Sequence, residues 1–191
     1  MRCSILSLVA FLSLCIGIPA RSQTPSAKAF AKAAAADKEF LDHVKAYLEV
    51  QKAAEKSLPG MKSSNDQAEI RDHQLALRAK VMEARQQARQ GDIFSKDVAE
   101  QFRKTVGAVV KGPGGDVVRR TIVEGDATKS VPLQVNKVYP DESPVHTTPP
   151  TVLMVLPELP MELAYRFVGR SLVLLDNKTN LIVDFLPETL P

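Results

Sequence analysis

The chain has 191 residues, 45% of them hydrophobic and 25% charged, with 25 Lys and Arg against 22 Asp and Glu. That length suffices for an ordinary apolar core. A net charge of +3 without any polybasic block argues against a duplex-binding face, which concentrates its cations.

Residues 1–22 have the layout of a secretory signal. Met1 and Arg2 open with positive charge, Ile5 to Ile18 is an uncharged apolar run, and Pro19 breaks it. Ala20-Arg21-Ser22 then offers small residues at the two positions a signal peptidase reads. The apolar run has fourteen residues, against roughly 20 needed to cross a bilayer core. Leu14 is too large for the position before a lipid-modified Cys15. The expectation is a cleaved signal, a soluble chain starting near Gln23, no stable membrane span, and a periplasmic or secreted location. Cys3 and Cys15 both fall inside the signal. The exported part then has no disulfide, thiolate metal site or cysteine nucleophile, and folds by apolar burial alone.

Residues 23–110 read as a helical region, rich in Ala, Lys, Gln and Glu. Ser26 suits a cap, and Phe30, Ala34, Phe40 or Leu41, Val44, Tyr47 and Leu48 recur at helical spacing until Leu58-Pro59-Gly60. Ser64-Asn65-Asp66-Gln67 fits a capping box. A second helix follows, with Ile70, Gln74, Leu77, Val81, Ala84 and Ala88 on one stripe, ended by Gly91. Two long helices joined by a short turn should form an antiparallel hairpin. Its alanine-rich seam buries little area, so the hairpin must lean on the second half or on a partner. A third helix is expected after Ser95, with Val98, Phe102, Val106 and Val109 inward.

Residues 111–130 open with the breaker cluster Lys111-Gly-Pro-Gly-Gly115 and read as a linker, since no lysine and hydroxyl pair follows to make a phosphate loop. Residues 131–191 hold nine of the thirteen prolines and read as β-rich. Strands are expected at Val131 to Val138 and Thr151 to Leu156, with a proline-rich loop over 139–150 between them. Leu163 to Val168, a Gly169-Arg170 turn of type II′, Ser171 to Leu175, a turn at Asp176 to Asn180, and Leu181 to Leu186 make a three-stranded antiparallel meander. Leu172 to Leu175 is apolar on both faces, which calls for cover on both. The fold class is therefore α+β: a helical hairpin and third helix, then a small antiparallel sheet.

Several stretches resemble a family of small exported bacterial proteins without an assigned function. They are Gly91-Asp-Ile-Phe-Ser95, Val135-Asn136 with Tyr139-Pro140, Leu156-Pro-Glu-Leu-Pro160, Tyr165-Arg-Phe-Val-Gly169 and Leu181-Ile-Val-Asp-Phe185. The likeness spans most of the exported part and implies export. Tyr165 to Asp184 is also similar to the β-meander that ends periplasmic nickel/cobalt-homeostasis proteins. There, too, a proline run leads into an aromatic-Arg strand, a Gly turn and an apolar return strand. No metal function is carried over on that stretch.

Residues able to carry chemistry are few. Glu39 and His43 lie four apart on the first helix, and His73 lies at a similar height on the second. A metal site of Glu39, His43 and His73 is thus the one ligand set the hairpin offers, without tight ligand spacing. His146 sits in the proline-rich loop. Arg71, Arg78 and Arg85 recur every seven residues as a basic stripe, able to dock an acidic partner or to be a wet helix face. Asp176 reads as a turn former and Asp184 as pointing outward between Val183 and Phe185. Glu158 and Glu162 read as surface charges, and Pro157-x-x-Pro160 as a rigid connector. No Gly-x-Ser-x-Gly, Ser-x-x-Lys or His-Glu-x-x-His motif occurs. The sequence therefore suggests a non-enzymatic exported binding or interaction protein with no cofactor. It would contact a protein partner, or itself, through the hairpin. A small-ligand or transition-metal accessory role is the alternative.

Overall fold

A computed structural model describes residues 27–60, 66–125, 132–140 and 148–190. The expected signal over residues 1–22, the caps Ser26 and Ser64, Val131 and His146 lie outside the described residues. Five helices come first: α1 (Ala27–Lys56), α2 (Gln67–Ala84), α3 (Lys96–Lys111), α4 (Gly115–Gly125) and α5 (Pro150–Leu153). Three strands follow: β1 (Leu163–Val168), β2 (Ser171–Asp176) and β3 (Ile182–Leu186). They pair antiparallel in the order β1-β2-β3, so the fold is α+β with the expected meander. None of the described helices is long and apolar enough to cross a membrane.

The helices form where apolar residues return every three or four positions. On α1 the buried set is Ala36, Phe40, Val44, Tyr47, Gln51 and Ala54. Phe30 and Ala34, expected inward, are exposed, because the core begins one turn later. On α3, Val98, Ala99, Phe102, Val106 and Val110 are buried, and the Ser95 side chain caps the start by accepting from Val98 N–H. Phe40, Phe94, Phe102 and Tyr165 knit α1, the loop before α3, and β1 together, with the Phe40 and Phe102 rings 4.9 Å apart. Helix α2 contributes only Leu77 and Val81 to the interior, so polar contacts must place it. Its cap is Asp66, which accepts from Ala68 N–H, and it ends at Ala84 rather than at Gly91.

Three expectations fail for local reasons. The linker over residues 111–130 is largely helix α4, whose Val118 and Ile122 recur at helical spacing and are buried. The glycine cluster is a corner, not a tether. Gly114 has φ +75, and any Cβ on Gly115 would meet the Val110 carbonyl oxygen at 2.1 Å. Residues 132–138 form a turn and a single bridge, Val138 to Leu181, instead of a strand. Asn136 breaks the run at φ +61. Its side chain donates to the Met82 and Arg85 carbonyls, which closes the C-terminal end of α2. Thr151 to Leu156 is α5 and a turn, because Pro150 fixes a helical φ in the first turn.

The meander forms on the expected strands and turns, with one irregularity in its pairing. Gly169 carries a positive φ of +56, as a type II′ turn requires. Leu174 pairs with Asp184 but Leu175 pairs with Ile182, so one residue of β3 is bulged out. Past that bulge the alternation of β3 reverses. Asp184, expected outward, therefore faces the helices and is fully buried. Its carboxylate accepts from the backbone N–H groups of Gly91, Ile93 and Phe94, and from its own neighbour Phe185. One face of β2 packs Leu172 and Leu174 on the helical core. The other packs Val173 and Leu175 with Tyr139, Val168 and Ile182, so the segment at 132–140 is the second lid.

Burial holds the Asp184 carboxyl above its usual range, and the four N–H donors pull it partly back. Replacing Asp184 by Ala strands three donors of the 91–94 turn and should cost about 3 kcal/mol of stability at neutral pH. A carboxyl raised in the folded state binds more protons there than when unfolded. The stability of wild type relative to Asp184→Ala should therefore fall as pH rises from the ordinary carboxylate value through the raised one, then level off. Denaturant titrations of both proteins at a series of acid pH values check this. A difference that grows with pH would contradict it.

Candidate functional site

The arginine stripe of α2 does not behave as one unit. Arg85 turns inward: its guanidinium donates to the Val183 carbonyl at 3.1 Å and lies 4.9 Å over the Tyr47 ring. Burial lowers its pKa from the usual arginine value, with Tyr47, Asp184, Asp92 and Asp176 opposing that shift. Arg78 is half-buried and donates through Nε to the Thr179 carbonyl at 2.6 Å. Arg71 stays exposed. The stripe proposed as a docking face is thus divided. Arg85 fastens α2 to the sheet, and Arg78 does so in part.

What Arg71 and Arg78 do form is one wall of a cleft of about 490 Å³ between α2 and the meander. Gln74 and Leu75 complete that wall, and Arg166 of β1, Leu175 of β2, and Asn177 and Lys178 of the turn face it. Arg166 lies on a strand whose neighbours Tyr165 and Phe167 are buried on the opposite side. Its guanidinium reaches the Tyr165 carbonyl at 2.9 Å, and its Nε is buried without a hydrogen-bond partner among the described residues. Burial lowers its pKa. Lys178 also pairs with Glu55 at 3.0 Å, an exposed contact of little energetic weight.

One carboxylate borders this cleft, and it is saturated. Asp176 is fully buried. Its Oδ1 accepts from the backbone N–H of Lys178 and Thr179, which is the expected turn role. Its Oδ2 accepts from the Tyr47 hydroxyl and from Gln51 Nε2, which the sequence did not reveal. Burial, reinforced by the Asp176 charge, pushes the Tyr47 phenol far above its usual range, so it remains a donor. Four cations therefore line the cleft, Arg78 held on the Thr179 carbonyl and Lys178 paired with Glu55, and the carboxylate among its described lining residues is already committed to protein donors.

The expected metal ligands do not converge. Among the described residues no group of three His, Cys, Asp or Glu is placed to hold a metal ion, so Glu39, His43 and His73 do not make one. His43 Nδ1 donates to the Ile93 carbonyl at 3.1 Å, which ties α1 to the turn held by Asp184. His73 lies instead near Leu58 to Gly60, beside Asp66, Glu69 and Asp72. A larger depression of about 1100 Å³ runs between α3, α4 and Pro149 to Val155. Its lining is mostly apolar, with Lys104 the only charged side chain among the described residues.

No protein-family model, curated protein or solved structure matches this chain. Arg71 and Arg78 were legible as a periodic pair. Arg166 and Lys178 were not, because only the packing of α2 across the meander brings them alongside. The one available signal was Arg166 itself, a charge alternating with two aromatics in a strand.

Removing the Tyr47 hydroxyl should loosen this corner. Tyr47→Phe leaves Asp176 Oδ2 with Gln51 alone and should cost about 1–2 kcal/mol in thermal or denaturant unfolding. A stability equal to wild type would contradict the hydrogen bond.

Proposed function

We propose that this is an exported, non-enzymatic binding protein that holds an anionic group of its ligand in the cleft between α2 and the meander. The observation that carries the reading is the cation set of Arg71, Arg78, Arg166 and Lys178 around one cleft, with the buried Nε of Arg166 unpartnered. A buried guanidinium donor without an acceptor is costly, and an oxyanion placed there removes that cost with two-pronged geometry. Binding fits better than catalysis. Tyr47 is locked as a donor, Asp176 is saturated, and His43 serves the α1 contact, so among the described residues no acid and base stand free beside the cleft. The export part of the proposal rests on the pattern of residues 1–22. The hairpin keeps a share in the contact through Arg71 and Arg78, but its binding side is the one turned to the meander.

Calorimetry with inorganic phosphate and pyrophosphate tests the cleft. Binding is expected to weaken with added salt, about tenfold or more in Arg166→Gln and about threefold in Arg71→Gln, with wild-type melting curves in both variants. Absence of heat with either anion, or equal affinity in all three proteins, would refute it. Fractionation and N-terminal sequencing test the export. A chain beginning near Gln23 outside the cytosol supports it, and a cytosolic chain retaining Met1 to Ser22 contradicts it.

A further inference from the structure

The cationic cleft does not stand alone on its side of the molecule. Arg166, which lines it, also lines a second cavity of about 500 Å³ along β1. That cavity is built from Leu153, Met154, Leu156, Pro157, Leu159, Leu163 and Tyr165, with Glu158 its only charged side chain besides Arg166. Met154 in turn lines both this cavity and the larger apolar depression beside α3 and α4. The three depressions are therefore neighbours, with Arg166 standing between the first two and Met154 between the second and third, and the four cations of the cleft face a lining elsewhere that is mostly apolar. Met154 is 85% exposed, and Leu153 45%. Large apolar side chains gathered on a surface in this way mark a place for apolar contact.

Taking the cationic cleft as the binding site, we infer that its ligand is a single amphiphilic molecule. Its anionic head lies among Arg71, Arg78, Arg166 and Lys178, and its apolar tail runs past Arg166 into the cavity along β1 and on toward Met154. Charge decides the orientation: four cations surround the cleft, whereas beyond Arg166 the other two depressions carry one charge each among the described residues, Glu158 along β1 and Lys104 on α3. Arg166 is suited to the junction. Its guanidinium meets the head, while its aliphatic stem belongs to the apolar path. The combined volume also exceeds what a bare oxyanion fills.

The test uses the full exported chain and three probes: inorganic phosphate, and dodecyl phosphate and dodecyl maltoside below their micelle concentrations. Vesicles containing an anionic phospholipid make a fourth arm. Dodecyl phosphate is expected to bind at least about thirtyfold tighter than inorganic phosphate, the worth of two or three buried methylenes. Dodecyl maltoside should bind far more weakly. Met154→Glu, at an exposed position that folding tolerates, should weaken dodecyl phosphate about tenfold and leave inorganic phosphate unchanged. Arg166→Gln should weaken both. Equal affinity for the two phosphates would overturn the amphiphile while leaving the anion cleft intact. Dodecyl maltoside binding as well as dodecyl phosphate would overturn the assignment of the head. Binding to vesicles in preference to the monomeric amphiphile would replace the single ligand by a membrane surface. If no phosphate compound binds, both this inference and the cleft reading fail.

Discussion

Two carboxylates on the last hairpin, both removed from water, tie the helical half of this protein to its sheet. Asp184 on β3 collects the backbone N–H groups of the turn at 91–94. Asp176 at the end of β2 collects Tyr47 and Gln51 of α1 and shapes its own turn. A buried carboxylate is tolerated only with its acceptor sites filled. Each therefore fixes the position of whatever fills them. Apolar packing supplies most of the stabilisation, through the Phe40, Phe94, Phe102 and Tyr165 cluster and the Leu172 and Leu174 face. Non-directional burial alone does not choose a register between helices and sheet; the carboxylates do.

The cleft inherits its shape from this arrangement. With two buried residues, α2 has little apolar hold of its own. It is placed by Arg78 on Thr179, Arg85 on Val183, and Asn136 on its last carbonyls. Thr179 sits in the turn organised by Asp176, and Val183 sits at the bulge that aims Asp184 inward. Arg71 and Arg78 thus face Arg166 and Lys178 because the same polar contacts that secure α2 also order the turn opposite. Binding-site geometry and helix docking are one problem here, which is why a cationic cleft survives beside a buried carboxylate.

Periodicity made the larger elements readable. The stripe Phe40, Val44 and Tyr47, the cap at Ser95 and the Gly169 turn each carry a local signal strong enough to fix an element. Tertiary facts were not readable. The reversal at Asp184 comes from one bulged residue, and nothing in Leu181 to Leu186 announces it. Helix α4 hid behind a glycine corner, because four breakers in a row look like a tether unless the chain turns sharply and packs. Val131 to Val138 and Thr151 to Leu156 looked like strands by β-branched content. Asn136 and the Pro149-Pro150 pair overrode that preference. In the cleft, half of the cations were visible as a helical repeat and half came from the far end of the chain.

The dependence on the Asp184 contact is tested most directly by native-state hydrogen exchange followed by NMR. If that carboxylate anchors the turn before α3, the amides of Ile93 and Phe94 should exchange only through global unfolding. Their protection should then equal that of Leu172 and Leu174 amides in the central strand. Exchange of Ile93 and Phe94 on the fast timescale of an open surface loop, with β2 still protected, would contradict the account.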